Sequence, residues 1–203
     1  MKKYAQSTVD LGKLALLFSR VDRATLHEDG ITNESDSDHT VMLALIACAF
    51  AERFYKDTLD LGKVAQFAIV HDLVEVYAGD TDSLGISQES KKEKDDREQK
   101  SLDRIKEEFD TTFPWISATV EEYESHISPE ARFIKILDKV MPKITGVLNN
   151  GARFKRDNKT KEEITRFHDE QHIAFLKEYS EDFPEVINIM KILMDEIMEK
   201  TYA

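Results

Sequence analysis

Two adjacent polar side chains, His71 and Asp72, lie within the largely apolar segment 64–76. Burying an imidazole and a carboxylate costs several kcal/mol unless the two groups are paired or bind an ion. Glu75 follows His71 by four residues and Asp72 by three, so a helix presents all three groups on one face. The pattern therefore has two interpretations: a hydrogen-bonded structural pair, or a set of ligands for a divalent metal ion.

A second His-Asp pair, His168-Asp169, offers an internal comparison. It lies in the charged segment 161–172, where we expect a solvated helix. His168 and His172 have the i, i+4 spacing of a helical zinc pair, but no glutamate follows the first histidine and no third ligand is evident. We therefore expect an exposed, non-functional helix face here.

Two further segments each place a potential metal ligand in apolar surroundings. His39 lies just after the helix-capping sequence 35–38, and Asp138 lies within the apolar segment 133–141. Asp80 follows the end of the central helix. One common cation would neutralise the aspartates and use the imidazole lone pairs, which is the simplest single explanation for these separate sites.

The composition limits the class of protein. The chain has 203 residues, of which 41% are hydrophobic and 33% charged, the balance of an ordinary globular domain. With 28 Lys and Arg against 40 Asp and Glu, the formal charge is −12. This charge repels phosphate backbones and argues against a nucleic-acid partner, although a local metal ion can still attract a small anionic substrate.

The cysteine count and the N-terminus bear on location. Cys48 is the one cysteine, so no internal disulfide forms, which fits a reducing compartment. Segment 1–13 has no apolar core behind its lysines, and no apolar run reaches the roughly 18 residues of a membrane helix. We expect no signal peptide, no membrane span and a cytoplasmic location.

The elements that position these residues are predicted to be helices. Only 7 Gly and 4 Pro occur, and the apolar spacing is helical throughout, which predicts an all-α protein in one domain, 1–203. We read segment 20–34 as a loop. The expected helices are 6–19, one through 41–50, 61–77, 88–109, 115–125, one from 129 that Pro142 breaks, 160–179 and 185–201.

Three motifs together resemble a known family. They are ESDSDH at 34–39, HDLVEVYAGDT at 71–81 and ILDK at 136–139. In this order they are similar to the HD-domain metal-dependent phosphohydrolase superfamily, and within it to the branch of bacterial 5′-deoxynucleotidases and their eukaryotic relatives. The resemblance covers about 20–160. It implies a helical bundle with a central buried metal-binding helix, on which the helices of 160–201 pack, and a homodimer.

The resemblance also implies a metal centre. The positions that match the family's four ligands are His39, His71, Asp72 and Asp138. Two nitrogens and two carboxylate oxygens with two open positions suit one octahedral Mn²⁺, Co²⁺, Fe²⁺, Ni²⁺ or Mg²⁺ ion, or Zn²⁺ in a distorted site. The identity of the ion stays open at this point.

Other residues acquire roles from the same resemblance. Glu75 matches the acid that orients or deprotonates the attacking water, and Asp80 matches an acid near the scissile phosphate and the sugar. Arg23 matches the basic residue that holds the phosphate, with Arg20 as a rival. Ala24 stands where characterised deoxynucleotidases have an aromatic residue that helps to reject ribose, so neither a preference for 2′-deoxy substrates nor one for monophosphates follows.

The implied function is removal of phosphate from (deoxy)nucleoside 5′-monophosphates by metal-activated water. Two alternatives stay open. The first is hydrolysis of another nucleotide phosphate or pyrophosphate, including alarmone-type nucleotides. The second is a nucleotide-binding or sensing protein with little turnover, which intact Glu75 and Asp80 disfavour, because a binder needs no water-activating carboxylate.

Overall fold

The computed structural model describes residues 1–82 and 88–203 and is mostly helical. The all-α prediction is confirmed. In chain order the elements are α1 (Lys2–Phe18), β1 (Asp22–Leu26), β2 (Asn33–Ser35), α2 (Asp36–Phe54), α3 (Leu61–Val70), α4 (Glu75–Ala78), α5 (Gln88–Phe109), α6 (Trp115–Glu124), α7 (Pro129–Asp138), α8 (Met141–Leu148), α9 (Ala152–Arg156), α10 (Lys161–Tyr179) and α11 (Pro184–Tyr202).

The chain divides into two compact units. The first comprises Met1–Ala24 and Ser35–Ile134, and the second comprises Thr25–Glu34 and Lys135–Ala203. That 1–203 is one domain stays a prediction. Among the described helices, none is both long and apolar enough to cross a bilayer.

Helix α2 begins where the capping sequence predicts. The Ser35 hydroxyl accepts a hydrogen bond from the Asp38 N–H, and the Asp38 carboxylate accepts one from the Ser35 N–H, both at 3.2 Å. This capping box satisfies two N–H groups at the helix start. In the first unit α2 packs on α3, α3 on α6, and α5 on α4 and α6. Fully buried Leu43, Phe67 and Ile105 belong to the apolar interior of this unit.

The central helix is not continuous, in contrast to the prediction of one helix over 61–77. Helix α3 ends at Val70, and the tighter i to i+3 hydrogen bonds Leu73 N–H to Val70 O and Glu75 N–H to Asp72 O form a turn before α4. The chain leaves α4 at Gly79, whose φ of +75° favours glycine. Periodicity alone did not reveal this break, because the apolar spacing continues across it.

Segment 20–34, predicted to be a loop, contains the short strand β1 and the first two residues of β2, and the two strands pair into a two-stranded sheet. The turn between them is stabilised locally, since the Asp29 carboxylate accepts hydrogen bonds from the N–H groups of Ile31 and Thr32 at 2.8 and 2.9 Å. Gly30 completes the turn at φ +69°. Strands this short leave no readable alternation in the sequence.

The second unit has its core between α8, α10 and α11. Thr160 and Glu163 form a capping box at the start of α10, as the side chain of each accepts a hydrogen bond from the backbone N–H of the other. Gly151 has φ +66°, and a Cβ at this position would lie 1.8 Å from Thr201 Oγ1. A residue other than glycine is therefore excluded there unless Thr201 moves.

The expectation of an exposed helix face at His168 is wrong. Its side chain is buried, with ring centroids of Phe154 and Phe167 at 6.1 and 5.9 Å. Burial and the nearby charge of Lys143 together lower the pKa of His168 to about 4. The charged neighbours along the chain did not indicate the burial of His168, because a helix can be solvent-exposed on one face and buried on the other.

Candidate metal centre

Two histidines and one aspartate meet inside the first unit. His39 lies in the first turn of α2 and is fully buried, while His71 and Asp72 lie in the turn that follows α3. One potential ligand atom from each of the three lies within 4.8 Å of the others. The imidazole centroids are 5.2 Å apart, and His71 Nε2 is 3.0 Å from Asp72 Oδ2. The fold thus brings together two histidines that lie 32 positions apart in the chain.

His71 is oriented by the end of its own helix. Its Nδ1 is 2.9 Å from the carbonyl oxygen of Ala68, a distance that places the ring proton on Nδ1. Nε2 then carries the lone pair and is directed to the side of Asp72. A histidine held in this way by a backbone carbonyl is the usual arrangement of a metal-ligating imidazole.

A second cluster adjoins the first and shares Asp72. Oxygen atoms of Asp36, Asp72 and Glu75 lie within 4.8 Å of one another. Arg23 Nη1 lies among them, 2.9 Å from Asp36 Oδ1, 2.7 Å from Asp72 Oδ2 and 3.8 Å from Glu75 Oε2. Arg20 is exposed, so the structure brings Arg23 and not its rival to these carboxylates.

Burial governs the electrostatics of these carboxylates. It raises the pKa of Glu75 to about 10, with the neighbouring Asp72 charge acting in the same direction and Lys94 acting against it. Burial also raises the pKa of Asp36 to about 7, although the Arg23 guanidinium opposes this. Such strongly perturbed carboxyl groups are typical of functional sites.

Two residues of this site were missed by sequence reasoning. Asp36 was read only as part of a helix cap, yet it is fully buried against Arg23. Lys94 lies in the charged helix α5, and its Nζ is 3.3 Å from Glu75 Oε1 and 3.2 Å from Glu98 Oε1. Burial would lower the pKa of Lys94, but these two carboxylates outweigh it and raise the pKa. Nothing in a run of lysines and glutamates marks which lysine points inward.

Asp80 and Asp138 occupy different surroundings. Asp80 is half-buried just beyond α4, and its Oδ2 accepts a hydrogen bond from the Ala24 N–H at 3.3 Å. Asp138 is the last residue of α7 and belongs to the second unit, where its Oδ2 is 2.7 Å from Lys139 Nζ. Its role as the fourth ligand stays a prediction.

A family model described as the HD domain matches residues 19–180. The chain belongs to the HD-domain family. This confirms the resemblance drawn from the three motifs, and the matched segment includes every predicted ligand and the predicted catalytic acids.

A curated relative and two of the solved structures that match this HD-domain chain share less than a third of the aligned residues with it. The human protein named 5′-deoxynucleotidase HDDC2 is 31% identical over 110 residues, which are 52% of this chain and 50% of that protein. The chain therefore spans about half the length of this curated relative. The likeness supports a relationship to the deoxynucleotidase-like branch without transferring a substrate.

Two solved structures share the fold. One, described as a predicted metal-dependent phosphohydrolase from Magnetospirillum magnetotacticum MS-1, has a TM-score of 0.77 and 23% identity, and the match covers 98% of this chain and 94% of that one. The other, a conserved hypothetical protein from Pyrococcus furiosus, has a TM-score of 0.51 and 21% identity, covering 94% and 99%. At these identities the likeness concerns the fold alone.

The residues of the first unit fit a divalent metal ion. His39 and His71 supply two buried imidazoles, and Asp72 supplies a carboxylate oxygen within 4.8 Å of a nitrogen of each. This mixed nitrogen and oxygen set suits first-row divalent ions, and a hard ion such as Mg²⁺ less well. The carboxylate of Asp72 also compensates the charge of an ion that the apolar interior would otherwise exclude.

Proposed function

We propose that the protein is a metal-dependent phosphohydrolase that removes phosphate from (deoxy)nucleoside 5′-monophosphates. The observation that supports this most strongly is the convergence of His39, His71 and Asp72 beside the buried acid Glu75. In this proposal one divalent ion is held by these three ligands, with Asp138 as the fourth from the family resemblance. A bound ion lowers the pKa of water and polarises a phosphoryl group.

Glu75 accepts the proton of the attacking water. Its carboxylate lies beside Asp72, one of the proposed ligands, and is therefore within reach of a water held there. Burial and the Asp72 charge favour protonated Glu75, whereas Lys94 at 3.3 Å favours its ionised, proton-accepting form. Positive charge bound at Asp72 removes the repulsion between the two carboxylates and strengthens that preference.

Arg23 and Asp80 act on the phosphoryl group and the leaving oxygen. A guanidinium carries five N–H donors in a planar fork, so Arg23 can hold Asp36 and a phosphoryl oxygen at the same time. Asp80 assists the leaving oxygen as an acid or binds the sugar. Ala24 replaces the aromatic residue that disfavours ribose, so the proposal covers ribose and deoxyribose nucleotides alike.

The deciding experiment is a substrate screen on metal-free protein resupplied with Mn²⁺ or Co²⁺. Nucleoside mono-, di- and triphosphates of both sugars are offered, and phosphate and pyrophosphate are measured separately. Release of inorganic phosphate from monophosphates alone supports the proposal. Release of pyrophosphate identifies the alternative hydrolase, and tight nucleotide binding without turnover identifies a sensing protein.

We also propose a cytoplasmic homodimer. Helix α2 exposes Val41 and Leu45, four residues apart, with relative exposures of 68% and 72%. Large apolar side chains that share one helix face in this way are suited to a helix-to-helix contact with a second copy. Cys48, which is half-buried and a free thiol, suits the reducing cytoplasm.

A further inference from the structure

Three carboxylates of the first unit converge on one nitrogen atom of Arg23. Nη1 is 2.9 Å from Asp36, 2.7 Å from Asp72 and 3.8 Å from Glu75. Side chains of Asp36 and Glu75 are almost wholly buried, and Arg23 itself is only 12% exposed. The guanidinium therefore occupies the position that a cation takes in an all-oxygen site.

The cluster has features of an ion site beyond its acidic composition. One oxygen from each of Asp36, Asp72 and Glu75 lies within 4.8 Å of the others, the spread of ligands around a single ion. Asp36 is 0% exposed, and its Oδ2 has no hydrogen-bond partner among the described residues. A fully buried carboxylate oxygen without a donor is costly, and a bound cation removes that cost.

We propose that Arg23 takes the place of a second metal ion and keeps the metal centre mononuclear. In the absence of the guanidinium, Asp36, Asp72 and Glu75 would bind a second divalent ion, with Asp72 bridging to the ion at His39. Carboxylate-only ligation selects a hard ion, Mn²⁺ or Mg²⁺. The inference rests on the proposed metal centre, since Asp72 belongs to both positions.

The balance of charge favours this exchange. The charged groups of the first unit at the site are five carboxylates and two cations: Asp36, Asp72, Glu75, Asp80, Glu98, Arg23 and Lys94. One divalent ion beside them brings the formal charge of the set close to zero, at −1, so a second ion has little to neutralise. Without Arg23 the formal charge of the set is −2, which one further divalent ion compensates, in a buried place where charge must be compensated.

The test counts bound Mn²⁺ ions per chain, by equilibrium dialysis with elemental analysis and by electron paramagnetic resonance. We expect one ion in the wild-type protein and two in Arg23→Met. The two ions should show spin coupling, because ions that share a carboxylate lie about 3.5–4 Å apart. Arg23→Lys retains the positive charge and should bind one ion, as should the combined variant Arg23→Met with Asp36→Asn.

Arg23→Gln guards against a variant that fails to fold. Its amide can still donate to Asp36 while the charge is removed, so we again expect two ions. A unit charge about 4 Å from a divalent ion changes the affinity of the second position by about 30- to 10⁶-fold, depending on the local dielectric. The second ion should therefore bind Arg23→Gln more tightly than the wild type by a factor in this range.

Each result has a definite consequence. Two ions in the wild type would show that Arg23 excludes nothing, and one ion in both Arg23→Met and Arg23→Gln would show that the carboxylates are not a cation site. Either overturns the inference, as does a second ion that persists when Asp36→Asn is added. No ion in any protein would overturn the proposed metal centre as well, which distinguishes the two failures.

Discussion

A buried lysine in the second unit makes a quantitative prediction possible. Lys143 in α8 is 6% exposed, and its Nζ donates a hydrogen bond to Gln171 Oε1 at 2.6 Å. Burial, together with the positive charge of Lys139 and against the opposing charge of Asp138, lowers the pKa of Lys143 from 10.5 to about 7. The folded protein thus holds this amine in an environment that disfavours its charged form.

The sign of the pH effect follows from proton counting. Between about pH 7 and pH 10.5 the unfolded chain keeps the Lys143 proton and the folded chain releases it. Because the unfolded state binds more protons, the free energy of unfolding rises with pH throughout this window. The difference between the two pKa values is equivalent to about 5 kcal/mol in total, of which about 3 kcal/mol lies between about pH 7 and pH 9.5.

Lys143→Met removes the ionisation and keeps most of the side-chain volume. Near pH 7 the variant avoids a cost of about 4 kcal/mol and loses the Gln171 hydrogen bond, which costs about 1–3 kcal/mol. We therefore expect the free energy of unfolding of Lys143→Met to exceed that of the wild type by about 1–3 kcal/mol near pH 7. Near pH 9.5 the advantage should vanish or change sign.

Urea unfolding of metal-free protein at the two pH values measures this effect. Lys177→Met is the matched control, because it makes the same substitution on the exposed face of α10 and leaves the interior of the unit unchanged. If Lys143→Met altered the unfolding free energy by the same amount at both pH values, the argument that burial displaces the Lys143 pKa would be refuted.

Three other outcomes follow from the structure. His39→Ala should lose bound metal together with hydrolysis, whereas Glu75→Ala should keep the metal and lose about 10²- to 10⁴-fold in rate. Glu107→Ala, which changes an exposed glutamate of α5, is the control, and unchanged turnover in Glu75→Ala would show that Glu75 is not the base. Leu45→Glu should convert a dimer to monomers in analytical ultracentrifugation, and an unchanged sedimentation coefficient would contradict the α2 contact. Gly151→Ala should lower the free energy of unfolding by more than the roughly 1 kcal/mol that positive φ alone costs, because its Cβ collides with a side chain of α11. The thermal midpoint of unfolding should fall accordingly, and an unchanged midpoint would mean that α11 shifts freely.

Several features of the fold and of the site can be predicted from residues that are close together in the sequence. The capping residues Ser35 and Asp38 and the periodic apolar spacing predict where α2 lies, because both signals act within a few residues of chain. The short range of these signals also explains why His71, Asp72 and Glu75 could be grouped from spacing alone. Adding His39 needed the argument that buried ionisable groups on separate helices seek one shared ion.

Other features depend on contacts between residues far apart in the chain. In the sequence Asp36 resembles an ordinary capping acid, and only the fold shows its ion pair with Arg23. Lys94 is one of many lysines in the sequence, and only the packing of α5 on α4 brings it to Glu75. The break after α3 and the burial of His168 are likewise decided by packing. Sequence therefore determined which groups are chemically suited to a metal and a phosphate. Only tertiary structure decided which charges face each other, because Coulomb and desolvation energies depend on separation in space and not on separation along the chain.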